Sequence, residues 1–371
     1  MTLDWRRESE EYRWLAALGA MTLLALVVAG WFSHRAGLPP YRIFYLYFLA
    51  VFQNARYALW LAGGLFLLRA LWLRTWNPFQ GLWALVTGHI RSPALVLAGV
   101  IPVLLVPILM ASFGTLKMLM PVFRDFSWDD RLAAADKLLF LGYQPWQFTH
   151  ALFGSPFLTE MIDNSYTYWV MALYTAVVSY AALAPRYERA RFFLSFAAAW
   201  ILIGIVGGYL FASAGPCFAQ QIGAASAPEF APLMARLKDI HEGGYLLNAY
   251  YWQGVLWRHH AAHQAGFAMG ISAMPSMHNA IAILYALTTA RMAKPIRIAA
   301  WSFAALIWIG SIHLGWHYAV DGIASGLMIA GIWYAAGRYL HRVGYTQALR
   351  LRGEEAPEPD LPDFEPEPVA I

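Results

Sequence analysis

The amino-acid sequence predicts an all-α protein, a polytopic membrane bundle of about eight spans with an amphipathic helix lying on its outer face. Three observations lead there. Of 371 residues, 60% are hydrophobic and only 13% are Asp, Glu, Lys or Arg, far from the balance of a soluble domain. The apolar residues gather in runs close to the ~20 residues that carry a helix across ~30 Å of hydrocarbon. Lys and Arg recur in alternate connecting segments, as they do in cytoplasmic loops.

The runs fall at 14–33, 43–68, 93–113, 165–184, 192–213, 276–292, 297–314 and 319–337. Arg56 and Arg69 interrupt the second run, so its limits slide by several residues. The first is too long, and lacks the small-residue cleavage site, for a removable signal peptide. With the N-terminus inside, the cytoplasmic side takes Arg6, Arg7 and Arg13, then Arg69, Arg74 and Arg91, then Arg186, Arg189 and Arg191. It also takes Arg291, Lys294 and Arg297, and finally Arg338, Arg342, Arg350 and Arg352. The basic residues of the other side are spread over much longer loops, and the segments with unusual polar residues all fall there. The expectation is an integral protein of a bacterial inner membrane, with cytoplasmic termini and a periplasmic site.

The net charge of +4 therefore reads as a topology signal. Without a basic stripe interleaved with aromatics, it does not point to nucleic acid. Cys217 is the sole cysteine, which excludes an intrachain disulfide and a thiolate metal cluster. Three divisions are expected: N-terminal spans over 1–112, a catalytic membrane domain over 113–340 and a disordered acidic cytoplasmic tail over 341–371. From Gly353 onward that tail holds seven acidic residues and five prolines without apolar periodicity, a composition that cannot bury a core.

Two segments between spans are more than connectors. Ser127, with Asp130 three residues later, reads as a capping box that opens the amphipathic helix, which runs to Phe140 and stops at Gly142 and Pro145. The segment 219–272 is longer than most loops, so part of it is expected to cover a site or bind substrate, although disorder would also explain its middle.

The chemistry concentrates in Ala273-Met-Pro-Ser-Met-His278 and His313-Leu-Gly-Trp-His-Tyr-Ala-Val-Asp321. An ionisable side chain at the centre of a span costs roughly 2.5–3.5 kcal/mol by insertion scales, so histidines and a carboxylate at span ends need a reason. His317 and Asp321 are four apart and share a helical face, where the carboxylate can hold one ring nitrogen and free the other to attack or to move a proton. His278 follows Pro275-Ser276 in the first turn of another helix, where backbone donors favour an anion. Taken singly, each histidine is more readily an interfacial anchor or a packing residue. Two histidines with different partners at one membrane face are what phosphoryl transfer uses, one attacking phosphorus and one protonating the leaving alcohol.

Pro275-Ser-Met-His278 and Gly315-Trp-His-Tyr-Ala-Val-Asp321 resemble the second and third motifs of the type 2 phosphatidic acid phosphatase superfamily. Gly207-Gly-Tyr-Leu-Phe-Ala-Ser-Ala-Gly-Pro-Cys-Phe218 stands where the first motif belongs and is similar to the inositolphosphorylceramide synthase branch. Gly114-Thr-Leu-Lys-Met-Leu-Met-Pro121, Phe126-Ser-Trp-Asp129 and Pro145-Trp-Gln147 also look like that branch and its bacterial relatives. The resemblance covers about 113–335. It implies that His317 forms a phosphohistidine, that Asp321 orients it and that His278 is the general acid, with no metal or other cofactor. The implied partners are a membrane lipid substrate and, for a transferase, a lipid alcohol acceptor.

The chain departs from the superfamily pattern at its phosphate-holding cations. Gly208 and Gly215 replace Lys and Arg of the first motif, and Ser311 replaces the Arg of the third. A transferring phosphoryl group still needs its charge compensated. Lys117 is the first candidate, ahead of Arg131, Lys137, Arg236, Lys238, Arg258 and His313, with Ser276, Gly215 and Ser311 as further phosphate contacts. Asp129, Asp130 and Asp136 suggest magnesium at first sight, but carboxylates at a helix N-terminus account for the first two. His259, His260 and His263 have a spacing zinc could use, yet no nearby Cys or carboxylate completes a site. A hypothesis of another class is a lipid-binding or transport protein carrying protons on its histidines. That reading predicts ionisable groups through the depth of the bundle, whereas here they gather at one face.

Overall fold

The computed structural model describes residues 8–38, 45–47, 49, 53, 56, 57, 60, 63, 64, 92–262, 269–354 and 356. The expected run over 43–68 lies largely outside the described residues, as does His263. In chain order, α1 is Glu11–Arg35, α2 Pro93–Phe123, α3 Asp129–Leu139, α4 Pro145–Phe153, α5 Pro156–Thr167 and α6 Trp169–Leu183. The helical segment α7 runs Arg186–Leu210. It is followed by α8 Ala227–Glu242, α9 Asn248–Ala261, α10 Met277–Thr288, α11 Lys294–His313, α12 Ala319–Arg342 and α13 Tyr345–Leu351. No strand occurs among the described residues, and the all-α membrane bundle expected from the sequence is what forms.

Among the described residues, α1, α2, α7, α11 and α12 are long and apolar enough to cross a membrane, and α10 is a shorter apolar helix. Their start signals are local. Ser92 accepts a hydrogen bond from the Leu95 amide at 3.3 Å, with Pro93 as the first helical residue of α2, and Pro295 occupies the first turn of α11. The expected run 165–184 is divided at Tyr168, where α5 gives way to α6.

Aromatic side chains make the core: Trp14, Phe192, Phe193 and Phe196 are fully buried, and Trp14 stacks on Phe193 at 6.4 Å. The packed pairs are α1 with α2, α10 with α11 and α12, and α7 with α12. Between Trp200 and Gly207, α7 widens into a π-helix, a form that recurs at functional sites. Gly207 lies so close to the Pro275 ring that a Cβ would come within 2.8 Å of it. Glycine thus lets the segment before α10 lie against α7.

At the end of the bundle where α12 finishes, Arg186 is buried among Glu10, Glu11 and Glu354, at 2.8, 2.6 and 2.9 Å. Arg352 also pairs with Glu10 at 2.7 Å, and the Tyr345 hydroxyl donates to Glu11 at 2.8 Å. This corrects the expected tail over 341–371. Its first part forms α13, with Tyr345, Thr346 and Leu349 buried, because those side chains cover an ion cluster that the tail composition alone does not reveal.

Two other expectations change. Trp128, not Ser127, precedes the first turn of α3, and no side chain caps it. Asp130 accepts from the Ala225 and Ser226 amides and the Ser226 hydroxyl instead, since a distant turn offers more donors than the local backbone. The middle of 219–272 is ordered as α8 and α9, with Phe230, Leu233, Leu237 and Ile240 of α8 buried.

Removing one member of a buried ion cluster strands the others and costs about 3–5 kcal/mol. Arg186→Ala is therefore expected to lower the thermal unfolding midpoint of the detergent-solubilised protein substantially. Arg186→Lys should recover only part of the loss, because one ammonium cannot span three carboxylates.

Candidate active site

The third-motif segment is a tight turn between two spans. The helix α11 ends at His313, and Gly315 takes φ +73, a left-handed conformation open to glycine. The amides of Trp316 and His317 both donate to the Ser311 carbonyl at 3.0 Å. His317 Nδ1 lies 3.2 Å from Asp321 Oδ2, and the same oxygen accepts from the Tyr318 amide at 3.1 Å. Asp321 therefore caps α12 and holds the imidazole with one carboxylate, as the four-residue spacing predicts. It is fully buried, and His317 is 7% exposed.

His278 is the second residue of α10, whose N-cap Ser276 accepts from the Asn279 amide at 3.4 Å. Its ring stacks on Tyr166 at 4.6 Å and leans on Trp169 at 4.2 Å. The His278 and His317 ring centres are 6.1 Å apart. The two histidines expected to cooperate thus face each other, one bound to a carboxylate and the other held by aromatic rings. Burial, and then the Lys117 ammonium, push His317 below its ordinary value, against the pull of a hydrogen bond to the Ala273 backbone, so the ring is neutral near pH 7.

Lys117 near the end of α2 acts electrostatically on both rings. Its Nζ also lies over the Phe113 ring at 6.0 Å. Four of the other candidate cations have partners of their own. Lys137 pairs with Glu229 at 3.2 Å, Lys238 with Glu242 at 3.8 Å, Arg131 lies over Trp128, and Arg236 donates to the Gly154 carbonyl. Arg258 is exposed on α9. His313 belongs to a separate buried group, stacked on His150 at 3.9 Å with Thr159 and Thr149 at its ring nitrogens.

The expected phosphate contacts are used inside the protein. Asn279 Nδ2 donates to Ser276 at 3.0 Å and to Ser311 at 3.3 Å, and Ser311 donates to the Trp308 carbonyl at 2.7 Å. These serines fasten α10 to α11. Gly215 has φ +102, and a Cβ there would sit 2.6 Å from the Trp316 carbonyl oxygen, so glycine is required for the 213–217 turn to pass behind His317. Its amide donates to Asp129 Oδ1 at 2.8 Å and is not turned to an open ligand site.

The acidic residues of α3 do not converge on a metal position. Asp129 accepts from the Ala214 amide at 2.9 Å, the Gly215 amide and the Tyr318 hydroxyl at 3.0 Å. Asp136 accepts from the Ala319 and Val320 amides at 2.7 and 2.9 Å. Burial pushes both carboxyls above the usual carboxylate range, against the pull of these bonds. No group of three His, Cys, Asp or Glu side chains among the described residues is arranged to hold a metal. His260 lies against Phe126 and Trp257 at 5.7 and 5.1 Å.

Sequence reasoning missed the aromatic support of His278 by Tyr166 and Trp169, and the bridge through Asn279. It also missed the use of Asp129 and Asp136 to hold backbone. Only the last left a signal, since a seven-residue separation sets two carboxylates on one helical face.

A family model described as the PAP2 superfamily matches residues 130–336, more than half of the chain. His278, His317 and Asp321 fall inside the match, whereas Lys117 and Asp129 fall outside it. No curated protein and no solved structure matches the chain.

The titration of His317 can be followed by NMR of labelled histidine in nanodiscs. Its folded pKa lies below the unfolded value of about 6.5, so the native ring is expected to stay neutral at pH 6, and stability to fall as pH drops below about 6.5. A midpoint at or above 6.5 would contradict the burial argument.

Proposed function

Because the chain belongs to the PAP2 superfamily, we propose that it breaks a phosphoester at a lipid headgroup through a phosphohistidine on His317. Family membership and the apolar helices support the coarser statement, an integral membrane phosphatase. The observation that carries the finer one is the His317–Asp321 contact of 3.2 Å with the His278 ring centre 6.1 Å from that of His317, which sets a carboxylate-bound histidine beside a second one.

Asp321 accepts from Nδ1–H of His317, and the Nε2 lone pair attacks phosphorus as the bond to the leaving alcohol breaks. His278 passes a proton to that alcohol oxygen. Neutral His278 then takes a proton from the incoming water or alcohol, whose oxygen attacks phosphorus and returns the bonding pair to His317. Lys117 compensates the charge that grows on the phosphoryl oxygens, a role supported by its influence on both rings.

The resemblance to the inositolphosphorylceramide synthase branch, with the missing first- and third-motif cations, favours transfer to a second alcohol over hydrolysis. The Lys and Arg distribution supports cytoplasmic termini and a periplasmic site in a bacterial inner membrane. The Arg186 cluster lies by the C-terminal end of α12 and His317 by its N-terminal end. The 24 residues of that helix separate the two by about 36 Å at 1.5 Å per residue.

The test is mass spectrometry of lipid and water-soluble products after the purified protein meets mixed phospholipids with and without ceramide or diacylglycerol, alongside His317→Ala. A new phosphorylated lipid that vanishes in the variant identifies a transferase and its acceptor. Inorganic phosphate alone identifies a phosphatase, and turnover that survives in His317→Ala refutes the phosphohistidine. Lys117→Ala is expected to lower kcat by about 100-fold or more, and unchanged turnover would remove Lys117 from the phosphate site.

A further inference from the structure

We propose that Asp129 and Asp136 are positioning residues that set His317 through its backbone, an inference that rests on the reading of His317 as the nucleophile. Both are 2% exposed and stand seven residues apart, two turns on one face of α3. Asp136 accepts from the amides of Ala319 and Val320 at 2.7 and 2.9 Å, and Asp129 from the hydroxyl of Tyr318 at 3.0 Å. Residues 318–320 follow His317 directly and precede Asp321. Of the first backbone donors of α12, those of Ala319 and Val320 are thus taken by Asp136, while that of Tyr318 is taken by Asp321.

Asp129 also reaches the second histidine through the chain. It accepts from the amides of Ala214 and Gly215 at 2.9 and 2.8 Å. Their neighbour Ser213 accepts from the Ala273 amide with its carbonyl at 2.9 Å and from the Met274 amide with its hydroxyl at 2.9 Å. Residues 273 and 274 lead into Ser276 and His278. Beyond Gly215, the Cys217 amide donates to the Gly315 carbonyl at 2.8 Å. One helix outside the long apolar spans therefore fixes the segment carrying each histidine, through backbone and not through either imidazole.

A further consequence concerns the anion. The amides of Tyr318, Ala319 and Val320 are bonded to the Asp321 and Asp136 carboxylates, so these three donors are not open to a phosphate. Asn in place of either Asp keeps the shape but supplies one acceptor instead of a carboxylate and turns an NH2 toward a backbone amide. The turn carrying His317 then loses a fixed position, and misplacement of a reacting group by about 1 Å can cost about 100-fold in rate.

The test compares Asp129→Asn and Asp136→Asn with wild type in nanodiscs, and with Asp130→Asn, whose carboxylate holds the 225–226 turn instead. The first readout is the imidazole NMR signal of His317, which needs no substrate. It is expected to shift or broaden in the first two variants and to stay in place in the third. The second is kcat and KM on dioleoyl phosphatidic acid in mixed micelles, with kcat expected to fall 10- to 100-fold at unchanged KM. A purely structural role would lower the unfolding temperature and leave the resonance in place. An unmoved His317 signal in both variants overturns the proposal, whatever the turnover. Activity that survives His317→Ala overturns the phosphohistidine instead, so the two failures are separable.

Discussion

A carboxylate shielded from water and facing several N–H groups makes a strong and directional contact, and α3 makes it twice. Asp129 and Asp136 gather the 213–215 turn and the first residues of α12, which are remote in sequence, onto one face of a single helix. The turn bearing His317 is otherwise short of support. It holds a left-handed glycine and two amides sharing one carbonyl, and its helix begins with orphan donors. With those donors satisfied from α3, the Asp321 carboxylate is left to His317 and the Tyr318 amide.

The electrostatics of the site follow from burial. A neutral imidazole is compatible with an apolar surround, whereas a cluster of cations would need matching anions. Lys117 reaches both histidines electrostatically, while Arg131, Lys137, Arg236 and Lys238 are each tied to a partner outside the site. The proposed chemistry therefore draws its positive charge from one ammonium, in place of the cations that the wider superfamily sets in its first and third motifs. Tyr166 and Trp169 hold the His278 ring through its faces.

The other end of the bundle solves a different problem. Arg186 is buried with Glu10, Glu11 and Glu354 around it, and Tyr345 closes over Glu11. A buried cation is tolerable only with such neighbours. They come from the first helix, the start of α7 and the segment after α12, so the cluster ties together chain ends that the apolar contacts alone would leave free to slide. The two polar assemblies thus brace α12 at both ends, one around a reactive pair and one around a charge.

Much was legible in the residues themselves. Apolar runs marked α1, α2, α7, α10, α11 and α12, because a bilayer demands length and hydropathy that any membrane helix must display locally. The His317–Asp321 pair was legible because a separation of four is a geometric statement within one turn of chain. What the sequence could not reveal is contact between distant segments: Asp130 bonding 225–226 rather than its own helix start, Asn279 joining two serines, and α13 covering Glu11. The sequence by itself determined the helical membrane class and which side chains can do chemistry, since both depend on local composition and spacing. Only the tertiary structure decided that Asp129 and Asp136 hold backbone and that His313 lies in a separate group. Those outcomes depend on which donors and acceptors meet when segments far apart in the chain exclude water together.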